Sequence, residues 1–121
     1  MGKSILVVDD TRSMRAMVAA VLEGAGYEVA TAESGAVALE LLHEAHFDAV
    51  VSDLRMPDMD GAALWREISL RHPELAHRIL FVTGDTLSPN AREFLRESRC
   101  ASLDKPFSKP ELIAKVQSLL S

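Results

Sequence analysis

Short apolar runs alternate with amphipathic stretches five times along the chain. Ile5–Val8, Tyr27–Thr31, Ala49–Ser52, Ile79–Thr83 and Ala101–Leu103 are the apolar runs, and four of the five are bounded by glycine or polar residues, the pattern of buried strands. Between them the apolar positions switch to helical spacing. Met14, Met17, Val18, Val21 and Leu22 fall at i, i+3, i+4, i+7 and i+8, with Gly24 as the expected stop. Ser34 predicts the cap of a second helix carrying Val37, Leu41 and Leu42, and a third holds Leu64 and Ile68 and ends before Pro73. Ser88 before Pro89 predicts a cap and a first helical proline for the fourth, with Ala91, Phe94 and Leu95 facing inward. Ser108-Lys-Pro-Glu111 is a capping box for the last, which runs through Leu112, Ile113, Val116, Leu119 and Leu120.

Strict strand–helix alternation predicts an α/β fold, a doubly wound five-stranded parallel sheet with helices on both faces. Right-handed crossovers then put any ligand at the carboxyl ends of the strands, near the topological switch point. No repeat, linker or low-complexity tract divides the chain, so residues 1–121 are expected to form one domain.

Composition narrows the function. The hydrophobic fraction of 48% is that of a globular protein, and the formal net charge of −5 disfavours direct nucleic-acid binding. Runs as short as Ile5–Val8 cannot cross a membrane, and no signal segment opens the chain, so a cytoplasmic protein is expected. The single Cys100 suits a reducing compartment and a half-buried packing role. His43, His46, His72 and His77 form no metal set, and His43 and His46 are expected on solvated surface.

The strand ends carry the chemistry. Asp9 and Asp10 follow the first strand, Asp53 the third, Thr83 ends the fourth and Lys105 follows the fifth. Taken singly, each has an ordinary explanation. Strand-end aspartates cap helices or form turns, Met56-Pro-Asp-Met-Asp-Gly61 is turn chemistry, and threonine and lysine are common in strands and on surfaces. Together they would converge on one edge of a sheet whose first strand is central. Carboxylates a few ångströms apart repel by about 4 kcal/mol per pair at an effective dielectric near 20, so that edge needs counter-charge. Lys105 supplies one unit, and a divalent cation that accepts hard oxygens, such as Mg2+, would supply the rest.

In Ile5-Leu-Val-Val-Asp-Asp10, Val50-Val-Ser-Asp-Leu-Arg-Met-Pro-Asp-Met-Asp-Gly61, Val82-Thr-Gly84 and Asp104-Lys-Pro-Phe107 the chain resembles response-regulator receiver domains of two-component systems over essentially its whole length. The resemblance implies a flavodoxin-like sheet in the order 2-1-3-4-5 with five helices. It implies that Asp53 accepts a phosphoryl group from a histidine kinase or histidine phosphotransfer protein. Mg2+ would be bound by Asp10 and Asp53 directly, by Asp9 largely through water, and by the backbone carbonyl of Arg55. Thr83 and Lys105 would hold phosphoryl oxygens, Gly84 would leave the acceptor accessible, and the bond before Pro106 would be cis. These roles match what phosphoryl transfer requires, an in-line acceptor, a bridging metal and clamps on the equatorial oxygens. Such a domain catalyses its own phosphorylation and dephosphorylation without being a conventional turnover enzyme.

The pattern departs from the family at Ser102, three positions before the lysine, where an aromatic ring is common. The usual coupling between that ring and the threonine is therefore missing, and output is expected from the loop after the fourth strand and from the fourth helix. The stretches around Leu80–Pro89 and Ser102–Pro106 are most similar to receivers of hybrid histidine kinases, and stand-alone receivers are the other match. Trp65 is expected to pack, while Met14 and Met17 lie where the family docks its kinase. Arg55 and Asp85 flank the mouth of the site and are expected to pair across it, slowing loss of the phosphoryl group. A haloacid-dehalogenase-type enzyme would need an aspartate where Thr11 stands, and a nucleotide module a glycine-rich turn after the first strand. A pure interaction domain would lack one of the five site residues, and none is missing.

Overall fold

Pairing between strands sets the order of the five units. The computed structural model describes residues 2–56, 59–84 and 88–120. Strands β1 (Ser4–Val8), β2 (Glu28–Ala32), β3 (Ala49–Asp53), β4 (Ile79–Thr83) and β5 (Ala101–Asp104) form one parallel sheet in the order β2-β1-β3-β4-β5. Helices α1 (Arg12–Gly24), α2 (Gly35–Glu44), α3 (Gly61–Arg71), α4 (Pro89–Ser98) and α5 (Lys109–Leu120) connect or follow them, and a short 3-10 helix at Pro73–Leu75 leads into β4. The expected fold class and strand order are both present.

Two cores flank the sheet because successive strand side chains point to opposite faces. Ile5, Val7, Val51, Leu80 and Val82 meet Val18 and Leu22 of α1 and Leu112 and Val116 of α5. Leu6, Val8, Val50 and Phe81 meet Leu42 of α2, Leu64 and Ile68 of α3 and Ala91 of α4. Burial on both faces is why these strands read as unbroken apolar runs rather than as alternations.

Helix starts follow the expected chemistry. Ser34 accepts the Val37 amide at 3.2 Å, and the capping box of α5 is reciprocal, Glu111 N–H to Ser108 Oγ at 3.2 Å and Ser108 N–H to Glu111 Oε1 at 2.9 Å. Ser88 makes no side-chain cap bond, although Pro89 does stand at the start of α4. Several strand ends shift by one residue from the sequence reading, and two shifts, at the end of α1 and the start of β2, have a direct cause in hydrogen bonding. Gly24 is the last residue of α1 rather than its stop, because Ala25 N–H still closes on Val21 and Leu22 carbonyls, and the left-handed turn falls at Gly26, with φ 99°. Tyr27 donates its amide to Leu22 at 3.1 Å and so belongs to the helix end, and β2 begins one residue later, paired Ser4 to Glu28 through Val8 to Ala32.

Gly61 closes the turn after β3. Its amide donates to Leu54 O at 2.8 Å, and a Cβ there would lie 2.7 Å from Phe81 Cε1 and 2.9 Å from Leu54 Cδ1. Only glycine lets α3 start this close to the sheet. Trp65 packs as expected, its Nε1 donating to Ala76 O at 3.2 Å and its ring edge-on to Phe94, which is edge-on in turn to Phe81. Cys100 is half-buried 3.7 Å from the same carbonyl, and burial pushes its thiol up. His43 and His46 are exposed, although His46 Nε2 has an acidic neighbour that the sequence did not suggest, Asp48 Oδ1 at 3.4 Å. Among the described residues no helix is long and apolar enough to cross a membrane.

Candidate functional site

The carboxyl ends of β1, β3, β4 and β5 bring the expected residues to one edge. Asp9 is buried, and each of its polar groups is held. Its amide extends the ladder to Ala32 O at 3.1 Å, its Oδ1 accepts the Thr11 amide at 2.8 Å, and its carbonyl accepts Arg15 Nη1 at 2.7 Å. Asp10, next in the chain, is exposed. Asp53 ends β3, with Oδ1 accepting the Arg55 amide at 3.2 Å and Oδ2 lying 3.5 Å from Lys105 Nζ. The same ammonium is 4.0 Å from Asp9 Oδ2. Thr83 is buried at the end of β4, and its carbonyl accepts the Lys105 amide at 2.9 Å, continuing the β4–β5 ladder past the strand end. The Lys105–Pro106 bond is cis. Among the described residues a Cβ built at Gly84 has Lys105 Cβ as its nearest contact, at 4.0 Å, so none of them crowds that side of the edge.

One carboxylate oxygen from each of Asp9, Asp10 and Asp53 lies within 4.8 Å of the others. Burial is the main force pushing the Asp9 carboxyl above its usual range, with Asp53 and Asp10 adding to it and the Thr11 amide and Lys105 opposing. Among the described residues three clustered carboxylates face the Lys105 ammonium, with the Arg15 guanidinium behind them on the Asp9 carbonyl, so negative charge still exceeds positive. Hard oxygen donors at this spacing, two of them half-buried or exposed, fit a small divalent cation that keeps part of its water.

Asp9, Asp10, Asp53 and Lys105 are thus assembled through side chains, and Thr83 and Arg55 join them through backbone bonds. Asp85, expected to pair with Arg55, lies outside the described residues. Ser102 is half-buried and sits opposite Phe81 across the β4–β5 pair. Arg15 is the participant that sequence reasoning missed. Its signal was an anomaly, since a basic residue in the first turn of α1 opposes the helix dipole unless acidic groups lie nearby.

A family model for the response regulator receiver domain matches residues 5–117. The response regulator receiver protein CpdR of Brucella abortus is 35% identical over 121 residues, covering 98% of this chain and 97% of that protein. The sensor kinase CckA of the same organism is 36% identical over 97% of this chain, which spans only 12% of the kinase. The Escherichia coli DNA-binding transcriptional regulator NtrC is 37% identical over 97% of this chain and 24% of that protein. Among solved structures, chemotaxis protein CheY4 of Vibrio cholerae superposes with a TM-score of 0.89 at 34% identity, covering 99% of this chain and 100% of that one.

Proposed function

The chain belongs to the response regulator receiver domain family of two-component systems, and from that premise we propose that Asp53 is its phosphoacceptor. The observation that carries the reading is the Lys105 ammonium 3.5 Å from Asp53 Oδ2, beside two further carboxylates. The donor is the phosphohistidine of a histidine kinase or a histidine phosphotransfer protein. An Asp53 oxygen attacks the phosphorus, the O–P bond forms as the N–P bond breaks, and the imidazole leaves.

Each neighbour has a task in that step. The Arg55 amide on Asp53 Oδ1 fixes one carboxylate oxygen, which leaves Oδ2 as the oxygen facing Lys105. Lys105 loses part of its hold on Asp53 as the carboxylate becomes an acyl phosphate, and its ammonium follows the charge onto a phosphoryl oxygen. Thr83 offers a hydroxyl from the neighbouring strand end for a second oxygen. Asp10 and Asp53, with Asp9 through water and the Arg55 carbonyl, would hold Mg2+, which when bound neutralises the transferred group and brings it to the acceptor. In dephosphorylation a water attacks the phosphorus in line, the bond from phosphorus to the Asp53 oxygen breaks, and inorganic phosphate leaves with the carboxylate restored. The half-buried Cys100 thiol suits a reducing, cytoplasmic setting.

The test is incubation with magnesium and acetyl phosphate, followed by intact mass. One added phosphoryl group is expected, absent in Asp53→Asn. A full signal in that variant would place the acceptor elsewhere.

A further inference from the structure

The carboxylate of Asp10 has no hydrogen bond or ion pair to hold it among the described residues, yet it stands within ligand distance of Asp9 and Asp53. Among these residues, what holds it is the backbone that carries it. The peptide plane that carries the Asp10 amide also carries the Asp9 carbonyl, and that carbonyl is held by Arg15 Nη1 at 2.7 Å. Arg15 is half-buried and anchored in its turn, because its amide donates to Thr11 O at 2.9 Å in the first turn of α1.

We propose that Arg15 is a positioning residue for the cation site: its guanidinium holds the Asp9–Asp10 peptide plane, and so holds the Asp10 carboxylate where it can act with Asp53. The inference rests on reading this edge as a magnesium-dependent phosphoacceptor site. Arg15 touches no phosphoryl group and supplies no ligand. It acts through a charge-assisted bond to a carbonyl, as groups behind a metal ligand commonly do. The Asp9 amide and carboxylate are tied to Ala32 and Thr11, so the carbonyl bond completes the hold on a loop of only three residues between β1 and α1.

Electrostatics alone predicts the opposite sign. A cation near three carboxylates competes with a divalent ion, so if charge were the main effect, removing Arg15 would tighten magnesium binding. If positioning dominates, removal weakens it. The geometry favours positioning, because the guanidinium is aimed at a carbonyl and forms no ion pair with any of the three carboxylates.

Magnesium titration by calorimetry of wild-type protein, Arg15→Met and Arg15→Lys decides this at about 0.1 M and 1 M KCl. Wild-type protein should bind. Arg15→Met should bind about tenfold more weakly, within the span usual for loss of a group behind a metal ligand. That loss should persist at 1 M salt, where charge effects between exposed groups are largely screened. Arg15→Lys, which retains a cationic donor without the planar fork, should recover part of the affinity. Phosphorylation by acetyl phosphate should need correspondingly more magnesium in Arg15→Met, with little change in rate once magnesium saturates. Unchanged or tighter binding in folded Arg15→Met would overturn the proposal. If Arg15→Met does not fold, affinity in Arg15→Gln takes its place, with wild-type affinity counting against the proposal and a loss supporting it. Absence of binding by the wild-type protein would instead overturn the magnesium reading on which the proposal stands.

Discussion

Replacing Lys105 with methionine removes the ammonium and keeps most of the stem. Its Nζ lies 3.5 Å from Asp53 Oδ2 and 4.0 Å from Asp9 Oδ2. At an effective dielectric near 20 these separations correspond to gross attractions of about 5 and about 4 kcal/mol. Desolvation of the three groups offsets much of that, and the lysine side chain retains 23% of its exposure, so water replaces part of what is lost. Breaking a fully buried pair costs about 3–5 kcal/mol, and the partial exposure here brings the expected loss to about 1–3 kcal/mol. In metal-free protein at neutral pH the urea midpoint should fall by about 1 M, taking a slope near 2 kcal/mol/M. Saturating magnesium should narrow the gap, because a native-state ligand at a hundredfold excess over its Kd adds about 2.7 kcal/mol, and in Lys105→Met it meets the carboxylates without a competing ammonium. Adding Asp53→Asn to Lys105→Met should restore stability in metal-free buffer by removing one of the uncompensated charges. Equal losses with and without magnesium, or strictly additive effects of the two substitutions, would refute this account of the edge.

Magnesium should raise the thermal midpoint of the wild-type protein, and Asp10→Ala should abolish that rise; a rise that persists would move the cation away from the strand-end carboxylates. Phosphorylation, or a phosphate analogue, should alter amide exchange in α4, and changes confined to α1 or α3 would contradict output through that helix. Asp48 accepts the Ser4 amide at 2.8 Å, and that bond holds its carboxyl below the ordinary value of 3.8. Its contribution is therefore present above about pH 4 and lost as pH falls through the folded-state value, so Asp48→Asn should flatten the acid limb of a midpoint-against-pH curve, and an unchanged limb would count against it. Asp9, whose carboxyl is raised mainly by burial, works in the opposite sense in metal-free protein, its contribution being lost as pH rises through its folded value. Arg99 ends α4 at φ 59°, a conformation that glycine adopts freely, so Arg99→Gly should stabilise by about 0.5–1 kcal/mol, read as a higher thermal midpoint.

Most of the fold was legible because its strands are buried on both faces. Unbroken runs such as Ile5–Val8 and Ile79–Thr83 leave little choice of element, and their alternation with helical spacing leaves little choice of topology. The edge strand was less clear. Tyr27 looks like a strand residue, but its amide completes the end of α1, and the start of β2 is set by pairing with Ser4, a long-range fact. The site residues could be named because each ends or closely follows a strand whose end the pattern marks, and because together they match the pattern of a known family. What the sequence could not supply was how they are held. The Arg15 bond to a backbone carbonyl leaves no trace in residue type beyond a basic residue in an unfavourable helical position. The third partner of the Trp65 and Cys100 cluster, the Ala76 carbonyl, is likewise a backbone group on a turn that only the tertiary structure brings near.

The placement of Lys105 has a consequence for how the protein is made. The three carboxylates are encoded by residue 53, whereas the ammonium that faces two of them comes from just after β5. During synthesis, at about 5–20 residues per second, the growing chain carries its acidic residues for several seconds before it can carry their partner. A chain interrupted before residue 105 would have the proposed acceptor without the ammonium that faces it. If Asp53 is the acceptor, such a chain is expected to take up phosphoryl groups poorly, because the clamp on the transferred group comes last.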